Sequence, residues 1–327
     1  MVFFITVLRA IAACIIINSH YEGIYPSDLL ANGGLLGNAL FFAISGYCLA
    51  NIKEKLTLSG FLKWYGKRIR RIYLPSTIIT IVFILIDYNR ITAFSDFIYY
   101  FIYPTRYAFL GAIILLYIPF FILLKVNWTN HNLVAVMMTV AGIAFIIYII
   151  GYDKSFYHID AVNEPFIFFI YFECMLFGAW FRHNKKKYID NHKITNWIYA
   201  VSTVCIYVAC KILLSKSIIT SNVQIVNQFC LFLVITALFT LFSGLNSQLE
   251  QLPNLLKQII SRIAAITLEL YLVQAFIVIK VREMKIFFPV NWILLTVLIF
   301  VCAFLLHYFC RIIDQSVMGK RYVEKHN

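Results

Sequence analysis

The sequence predicts an all-α, polytopic integral membrane protein with about ten transmembrane helices and both termini in the cytoplasm. Three observations support this prediction. Of the 327 residues, 62% are hydrophobic and 13% are charged, whereas soluble domains are about 45–50% apolar and about 25% charged. Apolar segments close to the roughly 20 residues needed to cross a bilayer recur along the whole chain. The net charge of +13 is concentrated between those segments, which is the pattern of membrane topology rather than of nucleic-acid binding.

Each apolar segment of sufficient length is predicted to be one spanning helix. The ten predicted spans are 3–20, 34–51, 73–88, 107–125, 132–151, 165–181, 194–214, 222–243, 262–280 and 288–309. The apolar stretch 94–104 is too short to span, so we expect an interfacial helix that ends at Pro104. With both termini inside, 20 of the 28 Lys and Arg residues lie on the cytoplasmic side, as the positive-inside rule requires. We expect one integral membrane domain over 1–327, without an appended soluble domain.

The positions of the cysteines and the absence of common catalytic motifs argue against several functions. The eight cysteines lie in or at the ends of apolar segments and form no C-x-x-C motif. They are therefore interpreted as small buried hydrophobic residues, not as metal ligands or a disulfide framework. The chain contains no glycine-rich phosphate loop and no G-x-S-x-G motif, so nucleotide hydrolysis and serine hydrolysis are not supported.

The first apolar segment contains two ionisable residues, Arg9 and His20, within LRAIAACIIINSH. Placing an ionisable group within a membrane span costs free energy, so such a residue is interpreted by default as functional. Their offset of eleven residues is about three helical turns, which predicts that they share one face about 16 Å apart along the axis. Imidazole titrates near neutral pH, so His20 is the best candidate for a general base. The alternative is that Arg9 only snorkels to the headgroups and His20 only ends the span.

Further candidates lie in a basic stretch and in two later spans. Arg68 and Arg71, in KRIRRIYLP, are one helical turn apart and suit bidentate phosphate binding, although a lipid-headgroup anchor is the alternative. Glu173 and Glu269 lie within predicted spans, where a carboxylate is expected to pair with a cation, here Arg9 or His20. Such a pair supports either catalysis or helix association.

The outer loop 152–164 is acidic and aromatic, which suits either a polar acceptor or ordinary solvation.

Five motifs in order resemble the acyltransferase-3 family of membrane O-acyltransferases. They are the Arg9–His20 pair, FFAISGY, the R-x-x-R of the basic stretch, FLGAIILLYIPFF and ITLELYLVQ. Two departures stand out. Asn38-Ala39 replaces a V-D pair that many members carry, and Gln274 stands where many members have His. These departures leave the acyl group and the acceptor open.

The resemblance implies that an acyl group, usually acetyl from acetyl-CoA, is transferred to a hydroxyl of a cell-surface or lipid-linked saccharide. Together with the ionisable residues described above, it makes His20 the expected general base or acyl relay, supported by Arg9 and Glu173, with Arg68 and Arg71 holding the donor. The expected partners are acyl-CoA, a saccharide acceptor and membrane lipid, with no nucleic acid and with homo-oligomerisation left open. We expect a multi-pass protein of the inner (plasma) membrane. The alternative function is a transporter or flippase of lipid-linked sugar.

Overall fold

The computed structural model describes the backbone of residues 2–125 and 130–324, and the side chains of 2–124 and 132–316. The structure is 77% helix with no strand among the described residues, which confirms the all-α prediction. The α-helices are α1 (Phe3–Asn18), α2 (Gly34–Leu49), α3 (Leu58–Leu85), α4 (Phe94–Phe97), α5 (Ala108–Lys125), α6 (Asn130–Gly151), α7 (Phe166–His183), α8 (Ile194–Ser215), α9 (Ile225–Gly244), α10 (Asn246–Glu250), α11 (Asn254–Ala265), α12 (Thr267–Glu283) and α13 (Val290–Glu324).

All ten predicted spans contain helix, because hydropathy reports directly on apolar helices of this length. Six helices of the described chain are long and apolar enough to cross a membrane, or seven if α11 and α12 form one bent span. Helices α1 and α5 are apolar but shorter. The count of ten spans and the orientation therefore stay predictions. The stretch 94–104 forms α4 followed by a π-helix, Ile98–Ile102, which ends just before Pro104.

Helix α1 ends two residues earlier than predicted. The polar residues Asn18 and Ser19 close the helix, and the Ser19 hydroxyl donates to the Ile16 carbonyl at 2.7 Å. The His20 amide then donates to the Ile17 carbonyl at 3.1 Å, in a tight turn. His20 therefore lies beyond the helix, and the prediction that it shares a helical face with Arg9 is wrong.

Helix α3 begins at Leu58, 15 residues before the predicted span 73–88, and contains most of the basic stretch between the predicted spans. Thr57 caps it, since its hydroxyl accepts a hydrogen bond from the Gly60 amide at 3.1 Å. Arg68 and Arg71 consequently lie one turn apart on a helix rather than in a loop. Pro75 lies within α3 and has no N–H to donate to the carbonyl of Arg71, four residues earlier.

The predicted span 262–280 is broken at Ile266. Helices α11 and α12 meet there at a bend of 69°. It is the one bent pair of apolar helices in the described chain. Transporters with broken helices usually carry such breaks in two corresponding halves, so this single bend gives no support to the transporter alternative.

Helices α2 and α7 cross at backbone contact. A Cβ atom on Gly46 would lie 1.9 Å from the Met175 carbonyl oxygen, and a Cβ on Gly178 would lie 1.9 Å from the Ala43 carbonyl oxygen. Small residues at helix interfaces allow this close approach in membrane proteins. The crossing determines where α2 and α7 present their functional side chains.

The two ends of the bundle differ in chemistry. Phe4, near the start of α1, contacts Phe181 and Phe239 near the ends of α7 and α9, with ring centroids 6.4 Å apart in each pair. We call this the basic end, because the four arginines described below lie there. At the opposite end, which we call the cavity end, the turn after α1 meets the start of α2 and the end of α12.

Candidate active site

A polar cavity of about 440 Å³ opens at the cavity end, between α1, α2, α12 and the loop 152–164. Its polar and charged lining residues are Ser19, His20, Glu22, Asn38, Asp160 and Arg282. The volume lies within the range of about 300–1,000 Å³ that is typical of ligand pockets. The cavity is large enough for a small polar substrate.

His20 lies on the wall of this cavity. Its side chain is exposed at this wall, and desolvation by the neighbouring protein lowers the pKa of His20 below the ordinary value of 6.5. The Glu22 carboxylate raises that pKa, and the Arg282 guanidinium lowers it. Because the net direction is down, the imidazole is neutral at pH 7 and can accept a proton.

Arg282 is a cavity residue that sequence reasoning missed. It lies near the end of α12, and its side chain packs against the turn that carries His20. A Cβ atom on Gly23, whose φ is +70°, would lie 3.4 Å from the Arg282 Nε. In the sequence, Arg282 follows the predicted span 262–280 and is one of the eight Lys and Arg residues outside the cytoplasmic set. No local pattern links α12 to the turn after α1, so only the tertiary structure brings the two together.

Asp160 anchors the loop 152–164 over the start of α2. Its carboxylate accepts hydrogen bonds from the amides of Gly33 and Gly34, the latter at 3.0 Å. It also forms an ion pair with Lys211 of α8, and the two side chains are only 14% and 8% exposed. These contacts place Asp160 and its neighbour Ile159 on the cavity wall, so the loop is part of the site.

Breaking this ion pair is expected to destabilise the protein. Lys211→Met leaves the Asp160 charge buried, with only two amides to compensate it, and such losses cost about 3–5 kcal/mol. We expect the double variant Lys211→Met with Asp160→Asn to lose less, because no uncompensated charge remains. Thermal unfolding in detergent measures both. The control is Lys216→Met, which removes an exposed cation from the same end. Equal stability of Lys211→Met and Lys216→Met would contradict the buried-pair interpretation.

Four arginines from three helices meet at the basic end: Arg9 of α1, Arg68 and Arg71 of α3, and Arg182 of α7. We call them the basic cluster. Arg9 Nη2 donates to the Sγ of Cys48, at the end of α2, at 3.4 Å. The Cys48 thiol is within electrostatic reach of both Arg9 and Arg182. The clustering brings Arg9 and the R-x-x-R pair near one another.

Aromatic side chains hold the guanidinium groups of the basic cluster in place. Arg68 lies over the ring of the buried Trp64, 4.6 Å from its centroid, and donates to the Trp64 carbonyl at 3.0 Å. Arg182 lies over the ring of Tyr47 at 4.9 Å. The buried hydroxyl of Tyr117 interacts electrostatically with Arg68, Arg9 and Arg71. Such contacts position the cations without neutralising them.

No ion pair with a carboxylate includes a member of the basic cluster within the part of the chain whose side chains are described. The ion pairs there include neither Arg9, Arg68, Arg71 nor Arg182. Other cations of the same stretch are paired: Lys67 with Glu54 at 3.5 Å, and Arg70 with Asp314. The structure therefore separates cations held in ion pairs from four guanidiniums that have none, although Arg68 still interacts electrostatically with the Glu54 carboxylate. Guanidiniums without an ion pair are suited to binding a polyanion.

The two intramembrane carboxylates do not pair as expected. Glu269 bonds to the Nδ1 of His307 on α13 at 2.7 Å, so the expectation that it pairs with Arg9 or His20 is wrong. Glu173 lies on α7, outside the cavity lining, and its buried Oε2 has no hydrogen-bond partner among the described residues. The structure does not bring Glu173 to His20 or Arg9, and its catalytic role stays a prediction.

The fold and the site together define a multi-pass membrane protein with a polar cavity at one end and, at the other, a basic cluster without ion pairs among the described side chains. The family model described as Acyltransferase domain, that of acyltransferase-3, matches residues 2–310. The chain belongs to this family, which confirms the predicted resemblance, and the protein is a membrane acyltransferase. Comparisons with curated proteins and with solved structures give no match.

Proposed function

We propose that the protein transfers an acyl group, most simply acetyl from acetyl-CoA, to a hydroxyl of a cell-surface or lipid-linked saccharide in the inner (plasma) membrane. One observation carries the proposal. Within a single acyltransferase fold, a histidine lines a polar cavity at one end, and four arginines without a described ion pair meet at the other. The two ends offer separate sites for an anionic donor and a hydroxylated acceptor.

The basic cluster is the proposed donor site. Coenzyme A carries several phosphates, and guanidinium groups bind phosphate through paired, charge-assisted hydrogen bonds. Arg68 and Arg71 lie one turn apart on α3 and present adjacent donors, while Arg9 and Arg182 add charge from α1 and α7. Under the positive-inside rule this end faces the cytoplasm, where acyl-CoA is made.

The cavity is the proposed acceptor site. Asn38 and Ser19 offer polar groups to sugar hydroxyls, and neutral His20 takes the proton from the hydroxyl that reacts. The hydroxyl oxygen then attacks the acyl carbonyl carbon, the C–S bond breaks, and the departing CoA thiolate receives a proton. Acyl transfer through His20 itself is the second route, and both routes need the imidazole in its neutral form.

Isolated membranes test the proposal. Membranes that contain the protein are incubated with acetyl-labelled acetyl-CoA and surface polysaccharide from the source cells. We expect alkali-labile label, as an ester, on the saccharide, at a level absent from membranes without the protein. Label at the level of the control membranes would contradict acetyl transfer to this class of acceptor.

Removing the two α3 guanidiniums is expected to weaken donor binding. Each charge-assisted hydrogen bond is worth about 1.5–3 kcal/mol, so Arg68→Gln with Arg71→Gln should raise the KM for acetyl-CoA at least tenfold. The KM for the saccharide should change little. Initial rates at varied acetyl-CoA measure the effect.

The matched control for this double variant is Lys67→Gln with Arg70→Gln. It removes two cations from the same turns of α3, but both are paired with carboxylates in the wild type. We expect a smaller change in the donor KM. Equal weakening by both double variants would instead support the lipid-headgroup anchor.

A further inference from the structure

The cavity holds one cation that the proposed acceptor and donor contacts leave unused, Arg282. No described side chain forms an ion pair with it. The neighbouring Glu283 is bonded to Lys280 at 2.8 Å instead. Its guanidinium packs against the turn at Gly23 and acts electrostatically on His20, so it lies beside the proposed base.

The other hydrogen-bond donors near His20 are largely engaged. The Ser19 hydroxyl donates to the Ile16 carbonyl, and the amides at the start of α2 donate to Asp160. Arg282 makes no hydrogen bond to another described residue through its side chain. Its charged N–H groups therefore lie in the same cavity as the histidine and are bonded to no described protein group.

We propose that Arg282 is a catalytic residue, whose guanidinium stabilises the oxyanion that forms on the acyl carbonyl during transfer. The proposal rests on the proposed function, because it needs an acyl donor and a hydroxyl acceptor to meet beside His20. A fixed cation at the point where negative charge develops is an effective way to lower such a barrier, since it needs no reorganisation during the reaction.

The proposed transfer is an ordinary acyl substitution. His20 takes the proton of the acceptor hydroxyl while its oxygen forms a bond to the carbonyl carbon. The electron pair of the C=O bond moves onto oxygen, where Arg282 donates hydrogen bonds to the resulting anion. When the C=O bond re-forms, the C–S bond breaks, and the imidazolium returns its proton to the CoA thiolate. The products are an ester and free CoA thiol.

Steady-state kinetics of Arg282→Gln and Arg282→Lys test this role, with the source polysaccharide as acceptor and acetyl-CoA as donor. Loss of an oxyanion donor typically lowers kcat about 10²- to 10³-fold. We expect this fall for Arg282→Gln with both KM values within about twofold of wild type. Arg282→Lys keeps the charge and should retain more activity. Added guanidinium ion should partly restore kcat in Arg282→Ala.

Controls separate catalysis from folding and from substrate anchoring. Lys280→Gln removes an exposed cation from the same end of α12 and should leave kcat unchanged. Thermal unfolding of the Arg282 variants should match wild type. A kcat within about threefold of wild type, or a higher acceptor KM with normal kcat, would overturn the oxyanion role. If wild-type protein transfers no acetyl group, the proposed function itself fails, whereas an active wild type with an unaffected Arg282→Gln overturns only this inference.

Discussion

His20→Gln is expected to abolish acyl transfer while leaving the folded protein intact. A general base contributes about 10²- to 10⁴-fold to a rate, and glutamine keeps the approximate size and polarity of the side chain but cannot accept the proton. Because His20 lies in a turn beyond α1 and lines the cavity rather than the core, expression and thermal unfolding should not change. Acetyl transfer from labelled acetyl-CoA to saccharide measures the loss.

The control for this prediction is His192→Gln, which removes an exposed imidazole from the loop before α8. It should transfer acetyl at the wild-type rate. Transfer by His20→Gln at the wild-type rate would show that His20 is neither base nor acyl relay.

The pH dependence gives the His20 prediction a second readout. The base works in its neutral form, so activity is lost as pH falls through the pKa of His20, which lies below 6.5. The acidic limb of kcat/KM should therefore have its midpoint below 6.5. Glu22→Gln removes the charge that raises this pKa, so it should move the limb to lower pH. A limb that stays in place in Glu22→Gln, or that lies well above 6.5, would contradict the assignment.

Gly178→Val is expected to have the largest effect on stability. Its first added carbon would lie 1.9 Å from the Ala43 carbonyl oxygen, and backbone cannot move aside without separating α2 from α7. Overpacking costs about 1–3 kcal/mol where side chains can adjust, so we expect at least the upper end of that range. The separation would also displace Arg182 from Cys48. Unfolding in detergent and gel filtration measure the loss.

Gly142→Ala is the matched control, because nothing lies within 4 Å of a Cβ atom at that position of α6. Alanine has about 1 kcal/mol higher helix propensity than glycine, so this variant should be as stable as wild type or more so. Wild-type stability of Gly178→Val would mean that α2 and α7 do not cross at backbone contact.

The sequence predicted the features that depend on neighbouring residues. Each apolar span predicted from hydropathy contains helix, and the i, i+3 spacing of Arg68 and Arg71 correctly placed them one turn apart. The functional interpretation of Arg9 depended on the cost of an ion in an apolar segment. The structure places this residue in the basic cluster, which is consistent with that interpretation.

The sequence could not predict features that depend on contacts between distant segments. Asp314 neutralises Arg70 but not Arg68, and His307 rather than Arg9 pairs with Glu269. Arg282 reaches the turn of His20 only because α12 packs on α1. The shared-face prediction for Arg9 and His20 failed for a local reason, since Asn18 and Ser19 end α1 before the periodicity reaches His20.

The central claim is that the phosphates of the acyl donor and the acceptor saccharide are held at opposite ends of one bundle, and proteoliposomes test it most directly. Purified protein is reconstituted with acetyl-labelled acetyl-CoA on the side of the basic cluster and saccharide only on the side of the cavity. The account predicts labelled ester on the saccharide in the compartment that never contained acetyl-CoA. Labelling only when both substrates share one compartment would contradict it.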